Sequence, residues 1–290
     1  MILKAHAKIN FYLDVLSRRS DGYHNIQSVM QSLELADVIF ISPNLKKIEV
    51  ILNSSDFALD IPSNDNLAYK AATLLKNEAG LNQGAIIEIN KRIPVAAGLG
   101  GGSADAAAVL FGLNLLWGLN LPLEKLQQIG AKVGADVPFC LIGGTSLAEG
   151  VGEILNPLPQ MPSSFVVIAK PSFGISTAEI YNELDKIEIS PLKQLELICA
   201  SLEKKDLVAI SRHLNNILEK VAGKLYPEII ELKEIAMEAG ALGALMSGSG
   251  PSVFALAKEK KAAEKVLEAL KPKASFVLLT RCFDCGVELV

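Results

Sequence analysis

The segment Pro94-Val95-Ala96-Ala97-Gly98-Leu99-Gly100-Gly101-Gly102-Ser103-Ala104-Asp105 puts four glycines in five positions, just ahead of an alanine-rich helical stretch. Glycine lets a backbone turn sharply and come close to a ligand. A helix N-terminus behind it offers free N–H groups and a favourable dipole to an anion. The chemistry suits the phosphates of a nucleotide. A tight turn with Ser103 as an ordinary N-cap would need fewer glycines. Three familiar patterns do not fit. No lysine follows the glycines, as a P-loop requires. Ser103 and Asp105 stand where the dinucleotide fingerprint needs its last glycine or alanine. Asp105 also replaces the final glycine of a hydrolase elbow.

Three further groups of residues could do chemistry. Lys8 and Asn10 sit two apart in an alternating segment, which puts an ammonium and an amide on one strand face. That face could line a polar cleft or simply meet solvent, and both readings are open at this point. Asp136, ahead of Val137-Pro138, fits a helix N-cap with proline in the first turn. Tyr23 and His24 follow an Asp21-Gly22 turn, where a packed tyrosine and a surface histidine are the plain expectation.

These residues need positioning elements. Residues 6–15 read as a strand, with Ile9, Phe11, Leu13 and Val15 on one side and His6, Lys8, Asn10, Tyr12 and Asp14 on the other. Segments 26–34, 37–42 and 47–52 read as further strands. A helix is expected over 66–78 with Asp65 as its cap, a strand over 85–90, a helix from Ser103 to about Trp117, another over 123–133, and a strand over 143–148. Pro157, Pro159 and Pro162 mark a linker, which gives domains 1–156 and 163–290. Beyond it come a strand at 165–169, helices through 177–239, a hairpin of 241–246 and 252–257, a helix at 259–270 and a strand at 275–280. Without the extra helices this half reads β-α-β-β-α-β, the ferredoxin-like plan.

Composition narrows the class. The 290 residues are 50% hydrophobic and 21% charged, too apolar for a disordered chain. The greasiest stretch, Ala106 to Leu121, is interrupted by Gly112, Asn114, Gly118 and Asn120 and falls short of the roughly 20 apolar residues of a membrane span. A net charge of −4 without a long basic run argues against nucleic-acid and membrane-surface partners. The N-terminus enters strand-like alternation at once, which suggests a cytoplasmic protein. Of Cys140, Cys199, Cys282 and Cys285, only the last two form a CxxC, and no second pair follows. Reduced, mostly buried thiols are expected, with no metal site. Twelve of the 22 glycines fall in the windows 98–102, 143–152 and 240–250, a clustering that needs a backbone reason.

Pro94 to Ser103 resembles the second motif of the GHMP kinases, the family of galactokinase, homoserine kinase, mevalonate kinase and phosphomevalonate kinase. Met246-Ser247-Gly248-Ser249-Gly250-Pro251-Ser252 resembles their third motif. Four more segments, Ala7 to Val15, Arg19 to His24, Gly134 to Phe139 and Ala148 to Glu153, are similar to the branch of this family that phosphorylates 4-diphosphocytidyl-2-C-methyl-D-erythritol. The resemblance implies an α+β, two-domain fold, with a ribosomal protein S5 domain 2-like N-terminal domain and a ferredoxin-like C-terminal domain. It implies an ATP-dependent kinase of the non-mevalonate isoprenoid pathway, with Mg²⁺ carried mainly by the nucleotide. Its partners would be small molecules, and it would be a monomer or weak dimer. Lys8 would stabilise the transferred phosphoryl, and Asp136 would be the base for the substrate hydroxyl. Pro94, Val95, Ala96, Ala97, Gly98, Leu99, Gly100, Gly101, Gly102, Ser103 and Ala104 would bind ATP, with Asn66 and Lys91 near adenine and ribose. Ser103 would reach a phosphate or the metal. Asn10 would hold the substrate, and Tyr23, His24, Thr177 and Tyr181 would enclose its cytosine. Homoserine and mevalonate kinases have no use for such a base pocket, which separates them from this branch.

Overall fold

The computed structural model describes residues 1–54, 66–188, 190 and 192–290. Strand β1 (Ile2–Arg18) turns at Asp21-Gly22 and pairs antiparallel with β2 (His24–Asn44). Gly22 takes φ +89° in that turn, a conformation that suits a residue without Cβ. β2 is one strand of 21 residues, where the sequence suggests two. Its far edge is shared along its length. Residues 26–31 pair with β5 (Thr145–Gly150), 32–33 with β11 (Phe276–Phe283), and 38–44 with β4 (Gly84–Asn90). Partners at both ends keep the middle extended. β3 (Ile48–Asn53) pairs parallel with β4, and β6 (Ile154–Pro157) antiparallel with β5.

β1 departs from simple alternation. Residues 5–15 are buried, so neither face meets solvent. The register shifts between His6 and Lys8 and again between Asn10 and Tyr12. The first shift places its extra residues in β2, whereas the second puts an extra residue, Phe11, into β1 and exchanges that strand's faces. Lys8, Asn10 and then Leu13 line one cavity, while the Tyr12 hydroxyl and the Asp14 carboxylate reach Leu192. The expected grouping of Tyr12 and Asp14 with Lys8 and Asn10 therefore fails past the second bulge.

Helices α1 (Leu67–Glu78), α2 (Gly101–Leu116), α3 (Leu123–Val133) and α4 (Val137–Ile142) belong to this first half. Asn66 caps α1, accepting from the N–H groups of Ala68 and Tyr69; the expected cap Asp65 lies outside the described residues. α2 is apolar around most of its girth and buried between β1, β2 and α1. It starts at Gly101, with Gly100 at φ +70° as its N-cap, two residues before the Ser103 start expected from sequence. A Cβ at Gly112 would lie 2.6 Å from both Leu3 and Ile41, so only glycine lets helix and sheet approach this closely.

After an irregular passage, β7 (Phe165–Lys170), β10 (Val253–Ala257) and β9 (Gly243–Met246) join β11 in the antiparallel order β11-β7-β10-β9. α9 (Glu228–Glu238) and α10 (Lys260–Leu270) pack on this sheet, as the split βαβ plan anticipates. Val166, Ile168, Phe254 and Leu256 join the core of the first half; Val167, Ala169, Val253 and Ala255 join a second core. Burial on both faces explains the unbroken apolar runs of β7 and β10. Between β7 and α9 lie α5 (Thr177–Leu184), α6 (Leu195–Glu203), α7 (Leu207–Arg212), a two-residue strand β8 (Asn215–Asn216) and α8 (Glu219–Leu225). A short last strand, β12 (Val287–Leu289), unforeseen from sequence, returns to pair with β1. All four cysteines are free; Cys140 is buried, Cys199 and Cys282 are half-buried, and Cys285 is exposed.

Candidate active site

The glycine segment leaves β4 and enters α2. Gly98 and Gly100 take φ +74° and +70°, and Ala96, at φ +50°, adopts the left-handed region despite its Cβ. Contact from below also excludes side chains. A Cβ at Gly98 would lie 2.1 Å from the Ser247 carbonyl, and one at Gly100 would lie 2.8 Å from Lys8 Cγ. The third-motif loop clamps the first: Ser247 Oγ donates to the Gly98 carbonyl (2.9 Å), and the Ser252 N–H donates to that of Ala97 (3.3 Å). Asn216 holds this clamp by donating to the carbonyls of Met246 (2.9 Å) and Gly248 (2.8 Å). Sequence reasoning had no reason to single out Asn216.

Lys8 and Asp136 come together at 3.3 Å, from β1 and from the residue preceding α4. The Lys8 side chain is 5% exposed and that of Asp136 33%, so the carboxylate is the more accessible partner. Asp136 holds the N-cap position, but its side chain makes no capping bond. Lys8 Nζ also donates to Asn10 Oδ1 (2.9 Å). Asn10 Nδ2 donates to Ser28 Oγ (2.8 Å), which donates to the Tyr12 carbonyl (2.7 Å). This chain fixes the ammonium. The Lys8 N–H donates to the Leu99 carbonyl (2.9 Å), tying the strand to the glycine segment at the first bulge.

Below the glycines, Lys91 is held by Asp37 (2.5 Å) and Asp105 (2.6 Å), with all three side chains 5% exposed or less. The other oxygen of Asp37 accepts from the N–H groups of Arg92 (2.5 Å) and Ile93 (2.9 Å). Burial holds the Asp105 carboxyl well above the usual range, only partly opposed by Lys91. Burial also works to lower the Lys91 ammonium, but Asp105 and Asp37 outweigh it and leave it raised. The triad joins β2, the exit of β4 and the first turns of α2, so it braces both ends of the glycine segment. Asp105 stood next to the motif in sequence, but nothing there disclosed Asp37.

At the other end, the rings of His24 and Tyr181 lie 4.8 Å apart, and Tyr23 stands 63% exposed at the rim. Burial, and then the Asp136 charge, push the Tyr181 phenol up. Thr177 Oγ1 lies 2.8 Å from Ser249 Oγ, which links α5 to the third-motif loop. One cavity of about 780 Å³ unites these parts. Its walls include Lys8, Asn66, Gly98 to Ser103, Asp136, His24 and Tyr181. Asn66 has its Oδ1 committed to capping α1, and Lys91 reaches the wall from beneath. Among the described residues, no group of three His, Cys, Asp or Glu could hold a metal ion, and no helix is long and apolar enough to cross a membrane.

Known proteins resemble this chain in sequence and fold. Residues 66–144 match the GHMP kinases N terminal domain and 198–274 the GHMP kinases C terminal domain. The 4-diphosphocytidyl-2-C-methyl-D-erythritol kinase of Caldicellulosiruptor bescii is 46% identical over 285 residues, 97% of each chain. That of Geobacillus sp. strain WCH70 is 45% identical over 271 residues, 93% of each. A crystal structure of 4-(cytidine 5'-diphospho)-2C-methyl-D-erythritol kinase superposes with a TM-score of 0.81 at 33% identity, covering 97% of this chain and 99% of the other. Homoserine kinase from Cytophaga hutchinsonii reaches the same TM-score at 24% identity, covering 100% and 97%, which speaks for the fold alone. With both domain models matched and near-full-length relatives at this identity, the chain belongs to the GHMP kinases, in the branch of the 4-diphosphocytidyl-2-C-methyl-D-erythritol kinases.

Proposed function

We propose that this protein transfers the γ-phosphoryl group of ATP to the 2-hydroxyl of 4-diphosphocytidyl-2-C-methyl-D-erythritol, a step of the non-mevalonate isoprenoid pathway, giving the 2-phosphate and ADP. The observation that carries the reading is the Lys8–Asp136 pair in the wall of the cavity that holds both the glycine segment and the His24–Tyr181 corner. Phosphoryl transfer is mostly positioning and electrostatics, so one base and one fixed cation are chemically sufficient. Asp136, the more exposed of the pair, takes the hydroxyl proton. Lys8, held by Asn10, stabilises charge on the phosphoryl in flight. The N–H groups at the start of α2 hold the ATP phosphates. Asn66 flanks the adenosine, and Lys91, locked between Asp37 and Asp105, supports that wall from beneath. Tyr23 and Tyr181 offer faces to the cytosine, with Thr177 and His24 closing its edge.

Mg²⁺ fits this site as part of the nucleotide. The Ser103 hydroxyl, in the first turn of α2, is a protein oxygen that would reach it; phosphate and water supply the rest. When bound, the ion neutralises phosphate charge. The protein works in the cytoplasm on small molecules, as a monomer or weak dimer. With ATP and Mg²⁺ it converts the cytidine diphosphate-linked substrate and leaves homoserine untouched; no turnover, or equal turnover of homoserine, refutes the assignment. Asp136→Asn loses at least ~100-fold in turnover while still folding. Near-normal turnover in that variant removes Asp136 as the base.

A further inference from the structure

His24 Nε2–H donates to Asp185 Oδ1 at 2.8 Å. The other carboxylate oxygen, Oδ2, lies 3.2 Å from Arg18 Nη1. Asp185 is the C-cap of α5, four residues after Tyr181 and eight after Thr177, so the three share one helix stripe. The bond therefore ties the start of β2 to the helix that carries Tyr181. Arg18 matches the charge of the carboxylate, so the imidazole need not be protonated to hold the pair. With Nε2 carrying the hydrogen, Nδ1 carries a lone pair. Among the described residues Nδ1 has no hydrogen-bond partner, and His24 lines the cavity.

We infer that Asp185 is a positioning residue that fixes the His24 tautomer, so that Nδ1 selects a base bearing an amino group: cytosine rather than uracil. This rests on the cytidine reading above. Cytosine presents the N4 amino donor where uracil presents the O4 acceptor. A lone pair on Nδ1 accepts from the first and opposes the second. Removing Asp185 lets the ring hydrogen move to Nδ1, and an Nδ1–H pairs with a carbonyl instead. The aromatic faces above and below the base cannot make this distinction, because both bases offer them the same π-surface.

The test titrates CDP and UDP against the full chain, with a non-hydrolysable ATP analogue saturating the other nucleotide site. The wild type binds CDP tighter than UDP by roughly tenfold or more. In Asp185→Ala and Asp185→Asn that ratio falls toward one, while affinity for the ATP analogue holds. An unchanged ratio in folded variants overturns the inference. Nitrogen-15 NMR of histidine-labelled wild-type protein reads the tautomer with no substitution at all. The expected signature is a protonated Nε2 and a bare Nδ1. An Nδ1–H form, or a doubly protonated ring, overturns the inference even if the variants do not fold. Wild-type protein that binds neither nucleotide refutes the cytidine reading itself, whereas a CDP preference that ignores Asp185 refutes only the tautomer.

Discussion

Lys91→Met probes the brace beneath the glycine segment. Lys91 Nζ lies 2.5 Å from Asp37 and 2.6 Å from Asp105, and these side chains are 4%, 0% and 5% exposed. Methionine keeps the volume and removes the only cation of the triad. Two carboxylates are then buried side by side, and breaking such a pair costs about 3–5 kcal/mol. At on the order of 2 °C per kcal/mol for a chain of this size, the melting temperature drops by about 6–10 °C. The pH dependence has a definite sign. Burial holds the Asp105 carboxyl above its unfolded value, so the folded state keeps a proton that the unfolded state has lost. Such a group opposes folding increasingly as pH rises from about 4 toward its folded pKa. The Lys91 ammonium is raised, so its contribution is constant throughout this window and is lost only above its folded pKa, in strong alkali. Without Lys91 nothing opposes the rise of Asp105, so the deficit of the variant is larger at pH 8 than at pH 5. The double variant Lys91→Met/Asp105→Asn carries one charge fewer and recovers part of the loss. Urea unfolding of the four proteins of this cycle at both pH values measures all of this. A Lys91→Met cost below about 1 kcal/mol at pH 8, or a double variant no more stable than the single one, contradicts the brace.

Three other substitutions separate chemistry from scaffolding. Lys8→Met lowers kcat by about 100- to 1000-fold while leaving ATP-analogue affinity nearly unchanged in calorimetry; a pure rise in KM would place Lys8 in binding only. Gly98→Ala and Gly118→Ala both force a Cβ onto a positive φ, at about 1–2 kcal/mol each. Only Gly98 also meets the Ser247 carbonyl, at 2.1 Å, whereas Gly118 has open space. Gly98→Ala therefore raises the KM for ATP, and Gly118→Ala costs a few degrees of melting temperature with normal kinetics; equal kinetics in both would sink the clamp between the two loops.

Local signals reveal local facts. The glycines of 98–102, the turn at Asp21-Gly22 and the split βαβ order follow from steric freedom and apolar periodicity, which a linear chain displays directly. They pointed to a phosphate-binding loop, while Lys8, Asn10 and Asp136 drew attention as site residues only through the resemblance to the GHMP kinases. Two readings failed where a neighbour distant in sequence decides the outcome. β2 runs unbroken because β5, β11 and β4 share one edge of it. β1 exchanges its faces past Asn10 because its register with β2 shifts between Asn10 and Tyr12. The supporting residues were equally hidden. Asp37, Asn216 and Asp185 act on partners 54, 32 and 161 residues away, on Lys91, Gly248 and His24. Asp185 left one trace, its spacing of four from Tyr181 on a helix stripe. The sequence alone determined which groups are available to handle a nucleotide. Tertiary structure decided which of them meet and which are locked, because a hydrogen bond or buried ion pair depends on separation in space, and the order of residues along the chain does not encode it.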